Sequence, residues 1–156
     1  MTKIEKRKLF RKRWLQAFFS PFRRVKHGTR LENGVYDADD RRMRNIYFIF
    51  KVFNLVYLVV LGFFLGVLIQ EGVGILDIDQ PLGVSHPLVV FTIFVPLYFI
   101  LVWVKSTFFL AAFDIENNEK TAKGEAKDNL DRIGFIQIAL LLWTLLAGPS
   151  WFLILS

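Results

Sequence analysis

The sequence predicts an all-α integral membrane protein with three transmembrane helices and an N-terminal basic amphipathic helix at the membrane surface. Three observations predict this fold. Hydrophobic residues make up 54% of the 156 residues, and most of them fall in three long apolar stretches. All 14 acidic residues and 18 of the 20 Lys and Arg residues lie outside those stretches. Residues 1–45 are strongly basic. This segregation excludes a soluble globular domain and a disordered chain.

The first predicted element is an amphipathic helix within a cytoplasmic arm, residues 1–45. On a helix between residues 3 and 19, aromatic side chains recur every four residues and form an apolar stripe. Lys and Arg occupy most of the remaining surface, as in helices that lie on anionic membranes. We therefore predict that this helix binds anionic membrane lipids or a protein partner through Lys6, Arg7, Phe10, Arg11, Arg13, Trp14 and Phe18.

The basic arm has other interpretations. Basic segments also bind nucleic acid, act as nuclear or mitochondrial targeting signals, or only fix membrane topology. Because the arm adjoins an apolar stretch, membrane attachment is favoured, and nucleic acid is not an expected partner. Between the arm helix and the first span, Asn33-Gly34 indicates a tight turn in a small hairpin, and Asp37, Asp39 and Asp40 are placed to cap a helix.

Three apolar stretches form the predicted transmembrane domain, residues 46–156. A span needs about 20 apolar residues to cross about 30 Å of hydrocarbon, and 46–69, 88–107 and 133–155 satisfy this requirement. Residues 1–45 contain 14 Lys and Arg, the first connection contains none, and the second contains four. The positive-inside rule therefore predicts a cytoplasmic N-terminus and an extracytoplasmic C-terminus. We expect a multi-pass protein of a bacterial inner (plasma) membrane.

Small and polar residues share one face in the first and third spans. Such faces let helix backbones approach closely and hydrogen-bond to each other. We predict helix packing through Asn54, Gly62, Gly66, Gly134, Gln137, Thr144 and Gly148, with the two faces meeting within the chain or across a subunit boundary. The opposite side of the first span is predicted to contact lipid, through Phe53, Val56, Val60, Phe63, Phe64 and Val67.

Single residues inside the spans carry further expectations. Pro96 cannot donate a backbone hydrogen bond, and we expect it to free the Thr92 carbonyl and bend the second helix. Trp143 is expected to serve packing. Lys51 and Lys105 lie near span ends, where a lysine extends its ammonium to the headgroups or serves as a counter-ion for lipid or substrate.

No catalytic motif, cofactor-binding motif or acid pair within the spans is present, and cysteine is absent. Asp77, Asp79 and His86 are better explained as parts of a turn than as metal ligands. We therefore expect no enzyme activity, no cofactor and no metal. The sequence favours a non-catalytic subunit that packs against other membrane protein subunits or its own copies. The alternatives are an immunity-type protein against a pore-forming toxin and a homo-oligomeric channel or transport component.

Overall fold

The computed structural model describes residues 1–19, 34–72, 81–83, 86–114 and 120–156, without the side chains of 120–123. Three helical segments are long and apolar enough to cross a membrane, namely Arg41–Gln70, Pro87–Ala112 and Gly124–Leu155. A further helix lies near the N-terminus. The predicted all-α class, with three transmembrane helices and an N-terminal helix, is confirmed, and the chain is a multi-pass membrane protein. The elements are α1 (Lys3–Phe18), α2 (Arg41–Gln70), α3 (Pro87–Val89), a π-helical turn (Val90–Phe94), α4 (Val95–Ala112) and α5 (Lys120–Leu155).

Side-chain caps fix the starts of α1 and α2. The Thr2 hydroxyl accepts a hydrogen bond from the Glu5 amide at 3.3 Å, and the Glu5 carboxylate accepts one from the Thr2 amide at 2.7 Å. This reciprocal pair is a capping box. At α2, the Asp40 carboxylate accepts a hydrogen bond from the Met43 amide at 3.0 Å. The prediction that an aspartate caps the helix entering the membrane is therefore confirmed for Asp40.

Contacts divide the chain into two compact units, and the first comprises Met1–Lys51 and Val102–Phe135. Its core is aromatic and brings α1 onto the end of α4. The Phe10 and Trp14 rings each lie 5.4 Å from the Phe108 ring, and Phe18 lies 5.5 Å from Trp103. The apolar stripe of α1 is thus covered by aromatic side chains of the same unit. Its buried residues are Met43, Tyr47, Phe108, Phe109, Leu110, Ala112, Phe113 and Ala126.

A short backbone pairing in the first unit joins the segment before α2 to the end of α4. Tyr36 forms an isolated parallel bridge with Phe113. The Tyr36 amide donates to the Ala112 carbonyl, and the Asp114 amide donates to the Tyr36 carbonyl, each at 2.8 Å. Tyr36 is therefore paired with the residues at the end of α4. The other half of the predicted hairpin, including Asn33, lies outside the described residues.

The second unit comprises Val52–Leu101 and Ile136–Ser156. Leu61, Leu68 and Val90 are buried at its centre, and Phe64 packs against them. Phe64 is therefore partly covered within this unit, and contact of its exposed part with lipid stays a prediction. The side chains of Phe53, Val56, Val60 and Phe63 are all more than half exposed, as expected of a lipid-facing surface.

Candidate functional site

One carboxylate in the first unit bridges two cations of α2. Glu125 Oε2 lies 2.7 Å from Arg44 Nη1, and Glu125 Oε1 lies 3.3 Å from Lys51 Nζ. Arg44 and Lys51 are seven residues apart, so they share one face of α2. Glu125 belongs to the charged first part of α5, before the apolar stretch 133–155. The bridge therefore ties α5 to α2 by charge.

A buried polar pair lies beside this bridge. Asn129 Nδ2 donates to the Tyr47 hydroxyl at 3.1 Å and to the Glu125 carbonyl at 2.8 Å. The Lys51 ammonium lies 4.7 Å from the centre of the Tyr47 ring, a distance suited to a cation–π interaction. Ion pairs, a cation–π contact and hydrogen bonds thus connect α2 and α5. These side chains bond to one another and so stabilise the packing of α2 against α5 within the first unit.

Lys51 and Lys105 differ in surroundings. The Lys51 side chain is 44% exposed and engages Glu125. Sequence reasoning missed Glu125, because the contact joins residues 74 positions apart and leaves no local pattern. Lys105 is only 5% exposed. The expectation that its ammonium reaches the headgroups or serves as a counter-ion stays a prediction.

The second unit contains a break in helical register at the π-helical turn. The Val95 amide donates to the Val90 carbonyl, five residues back. In the same register the next acceptor is the Phe91 carbonyl, and its donor would be Pro96, which has no N–H. The Trp143 indole takes that place, with Nε1 2.6 Å from the Phe91 oxygen. Trp143 thus pairs the Phe91 carbonyl, and the predicted release of the Thr92 carbonyl stays a prediction.

Two further aromatic donors reach the same turn. Trp151 Nε1 lies 2.9 Å from the Thr92 hydroxyl, which itself donates to the Leu88 carbonyl. The Tyr57 hydroxyl donates to the Phe94 carbonyl at 2.7 Å. Backbone carbonyls in hydrocarbon need such partners because water is absent. Trp143, predicted to serve packing, is therefore also a hydrogen-bond donor to a broken helix.

The polar residues among those predicted to pack helices differ in their surroundings. Asn54 is 7% exposed, and its Nδ2 donates to the Leu101 carbonyl of α4 at 3.4 Å. Its partner is thus the second span and not, as expected, the third. The Thr144 hydroxyl donates to the Leu140 carbonyl of its own helix at 2.8 Å, so it does not need another helix as its acceptor. Gln137 is half-buried in the second unit.

The four predicted glycines are open. A Cβ built at any of them would meet no atom of the described residues within 4 Å; the positions are Gly62, Gly66, Gly134 and Gly148. Close helix contact through these glycines within the chain is therefore not formed in the described part. The second expectation, contact across a subunit boundary, stays a prediction.

The basic and the aromatic residues predicted to bind in the arm differ in exposure. Lys6, Arg7 and Arg11 are exposed, whereas Arg13 is half-buried. The aromatic residues Phe10, Trp14 and Phe18 are half-buried against the first unit, and Trp14 Nε1 also donates to the Thr107 hydroxyl at 3.2 Å. The aromatic stripe is thus used within the chain, while the basic face is left accessible. Lipid or partner binding by this face stays a prediction.

The described residues contain no group of three His, Cys, Asp or Glu side chains able to hold a metal. Asp77 and Asp79 lie outside the described residues. His86 is buried and caps α3, since its Nδ1 accepts a hydrogen bond from the Leu88 amide at 3.1 Å. The His86 ring therefore acts as a helix cap.

No protein-family profile, curated protein or solved structure matches this chain. Its function is therefore inferred from its own residues.

Proposed function

We propose that this protein is a non-catalytic subunit of a larger membrane-embedded assembly, with a structural or scaffold role. The observation that supports it most is an uncovered small-residue face. Gly62 and Gly66 are exposed on α2, with no described atom within 4 Å of a Cβ at either position. Small residues spaced by four let a second helix approach closely in lipid. A neighbouring helix from another subunit fits this face.

The third transmembrane helix supports the same proposal. None of its 18 most apolar consecutive residues is buried within the chain. Thr144 and Ser150 donate to carbonyls of their own helix, at 2.8 and 2.9 Å. The helix thus satisfies these two hydroxyl groups itself, and apart from its contacts through Trp143 and Trp151 its surface is left for lipid or for another subunit.

A transport role has less support. Proton and cation pathways in membranes are lined by acids or other ionisable groups within the spans. The apolar stretches 46–69, 88–107 and 133–155 contain no Asp or Glu. Glu125, in the charged first part of α5, is already engaged by two cations of the same unit. A scaffold role accounts for this better than a relay.

The arm extends the proposal to the membrane surface. Because Phe10, Trp14 and Phe18 hold α1 on the first unit, its exposed basic residues have a fixed position relative to that unit. The proposed binding partner of this face is anionic lipid or an acidic surface of another subunit. We place the N-terminus in the cytoplasm and the C-terminus outside it, in a bacterial inner membrane, because Lys and Arg are concentrated in residues 1–45.

Purification of the tagged chain from native membranes in a mild detergent tests the proposed function. We expect other membrane proteins, or further copies of this chain, to co-purify in fixed stoichiometry. Gly62→Ile with Gly66→Ile is expected to abolish the association. The matched control, Val56→Phe with Val60→Phe, has the same spacing on the exposed opposite side and is expected to leave it intact. Recovery of the wild-type chain alone, together with protection of cells against a pore-forming toxin, would reject the subunit in favour of an immunity protein.

A further inference from the structure

The contacts of α1 with the first unit change in order along the helix. Near the N-terminal end, the Phe10 ring lies 5.9 Å from the Tyr36 ring and 5.4 Å from the Phe108 ring. Both partners lie outside the three apolar stretches. Near the C-terminal end, the Phe18 ring lies 5.5 Å from the Trp103 ring, which belongs to the second apolar stretch. The C-terminal end of α1 therefore lies beside the part of the chain that crosses the membrane.

Trp14 lies in the middle of this series of contacts. Its indole donates to the Thr107 hydroxyl at 3.2 Å, and its ring lies 6.4 Å from the Phe50 ring. Thr107 ends the second apolar stretch, and Phe50 lies one helical turn inside the first. Trp14 is therefore level with the ends of both stretches, and tryptophan is favoured at such a membrane boundary. Trp103 precedes Thr107 by four residues, so Phe18 lies about 6 Å further into the membrane.

The charge of α1 stops at the same level. Its seven Lys and Arg residues lie between Lys3 and Arg13, and residues 14–19 carry no charge. Large apolar side chains are open in this uncharged part, because Leu15 is 50% exposed and Phe19, which follows α1, is 72% exposed. The aromatic contacts with the first unit leave both of them uncovered. An uncharged helix end with open apolar side chains, beside a membrane-crossing segment, fits a lipid environment.

We propose that the C-terminal end of α1 is inserted into one leaflet of the membrane, where phospholipid covers Leu15 and Phe19. Helices at the interface bury their apolar side about 5–10 Å into the boundary between headgroups and acyl chains. A position about 6 Å inside the end of the second apolar stretch falls in this range. The two side chains therefore contact acyl chains.

Cations on the same side of α1 fit the headgroups. At about 100° per residue, Lys8, Arg11 and Lys12 flank Leu15 and Phe19 around the helix, and all three are exposed. They lie closer to the N-terminal end and so further out, where lipid phosphates accept charge-assisted hydrogen bonds. This inference rests on the lipid-binding part of the proposed function, which it refines, and it does not need the subunit role.

Spin labelling of the purified full-length protein in phospholipid vesicles tests the insertion. The chain contains no cysteine, so a single introduced cysteine carries the label. Leu15→Cys and Phe19→Cys report on the inserted end, and Lys8→Cys is the matched control at an exposed position of the same helix. Phe53→Cys, at an exposed position in the first apolar stretch, gives the value for lipid contact. Electron paramagnetic resonance measures collisions of each label with oxygen, which concentrates in lipid, and with a water-soluble nickel chelate.

We expect the ratio of oxygen to nickel collisions at positions 15 and 19 to be several times that at position 8 and close to that at position 53. The ratio should persist in phosphatidylcholine alone and at high salt, because aromatic contacts and not charge hold α1 in place. Free access of nickel at positions 15 and 19 would overturn the proposal, since this end would then lie in water. Few collisions with either reagent would also overturn it, since a second copy of the chain would then cover the end. Either result leaves the co-purification test of the subunit role unaffected, and failure of co-purification leaves the label pattern unchanged.

Discussion

Replacement of Trp143 by Phe tests the explanation of the broken second helix. The indole Nε1 lies 2.6 Å from the Phe91 carbonyl. In the π register the backbone donor to this carbonyl would be the residue five positions later, which is Pro96 and has no N–H. Phe keeps an aromatic ring at position 143 but removes the donor. The Phe91 carbonyl then remains unpaired in a medium that offers no water.

The magnitude follows from the state of that carbonyl. An unsatisfied buried acceptor costs about 1–3 kcal/mol, whereas single hydrogen bonds between transmembrane helices average about 0.6 kcal/mol and reach about 1.7 kcal/mol. We expect Trp143→Phe to lower the free energy of unfolding by about 1.5 kcal/mol. In a Pro96→Ala background the backbone N–H is restored, and the same substitution should cost only about 0.5 kcal/mol.

Reversible unfolding of the purified protein in mixed micelles measures all four members of this double-mutant cycle. The expected coupling between positions 143 and 96 is about 1 kcal/mol, and the loss of indole area cancels in the difference. Trp151→Phe serves as the control, because Trp151 donates to the Thr92 hydroxyl and not to a carbonyl that Pro96 leaves unpaired. If Trp143→Phe costs the same in both backgrounds, Trp143 does not compensate for Pro96.

Three further predictions concern the first unit and the topology. Glu125→Gln should destabilise the protein by about 1 kcal/mol in chemical unfolding, because two cations lose their carboxylate while partial exposure limits the loss; no change would show that the bridge has no energetic role. Gly34→Ala should weaken the first unit, since a Cβ there would clash with the Phe113 backbone. Faster proteolysis of the protein in detergent is the expected readout, and an unchanged rate of cleavage would contradict it. A reporter fused after Ser156 should be extracytoplasmic and one inserted near Lys123 cytoplasmic, and finding both on the same side of the membrane would exclude three spans.

The membrane spans could be predicted because hydropathy is a local property. Any stretch of about 20 apolar residues must leave water, whatever its neighbours are. The cap at Asp40 is local for the same reason, since its acceptor and donor are three residues apart. By contrast, the local sequence does not determine which surface covers an apolar stripe. The α1 stripe has the same pattern whether lipid covers it or, as here, Phe108 and Trp103.

The candidate sites were harder to predict because they join distant residues. Periodicity placed Asn54 and the glycines on one arc of α2, yet only Asn54 contacts α4. The arc does not reveal which part of it a neighbouring helix will cover. Pro96 indicated a break in the second span. The carbonyl that lacks a backbone donor there depends on a shift to hydrogen bonds between residues five apart, and the sequence gives no signal of that shift.

Photo-crosslinking from two exposed positions of α2 tests the proposed subunit role most directly. At about 100° per residue, Leu55 lies between Gly62 and Gly66 around the helix, whereas Val60 lies on the opposite side. Both side chains are exposed to a similar extent, 61% and 62%. A photoreactive residue at position 55 should form adducts with a protein in native membranes, and the same residue at position 60 should form adducts with lipid. Lipid adducts alone from both positions would contradict the proposal that this face packs against another subunit.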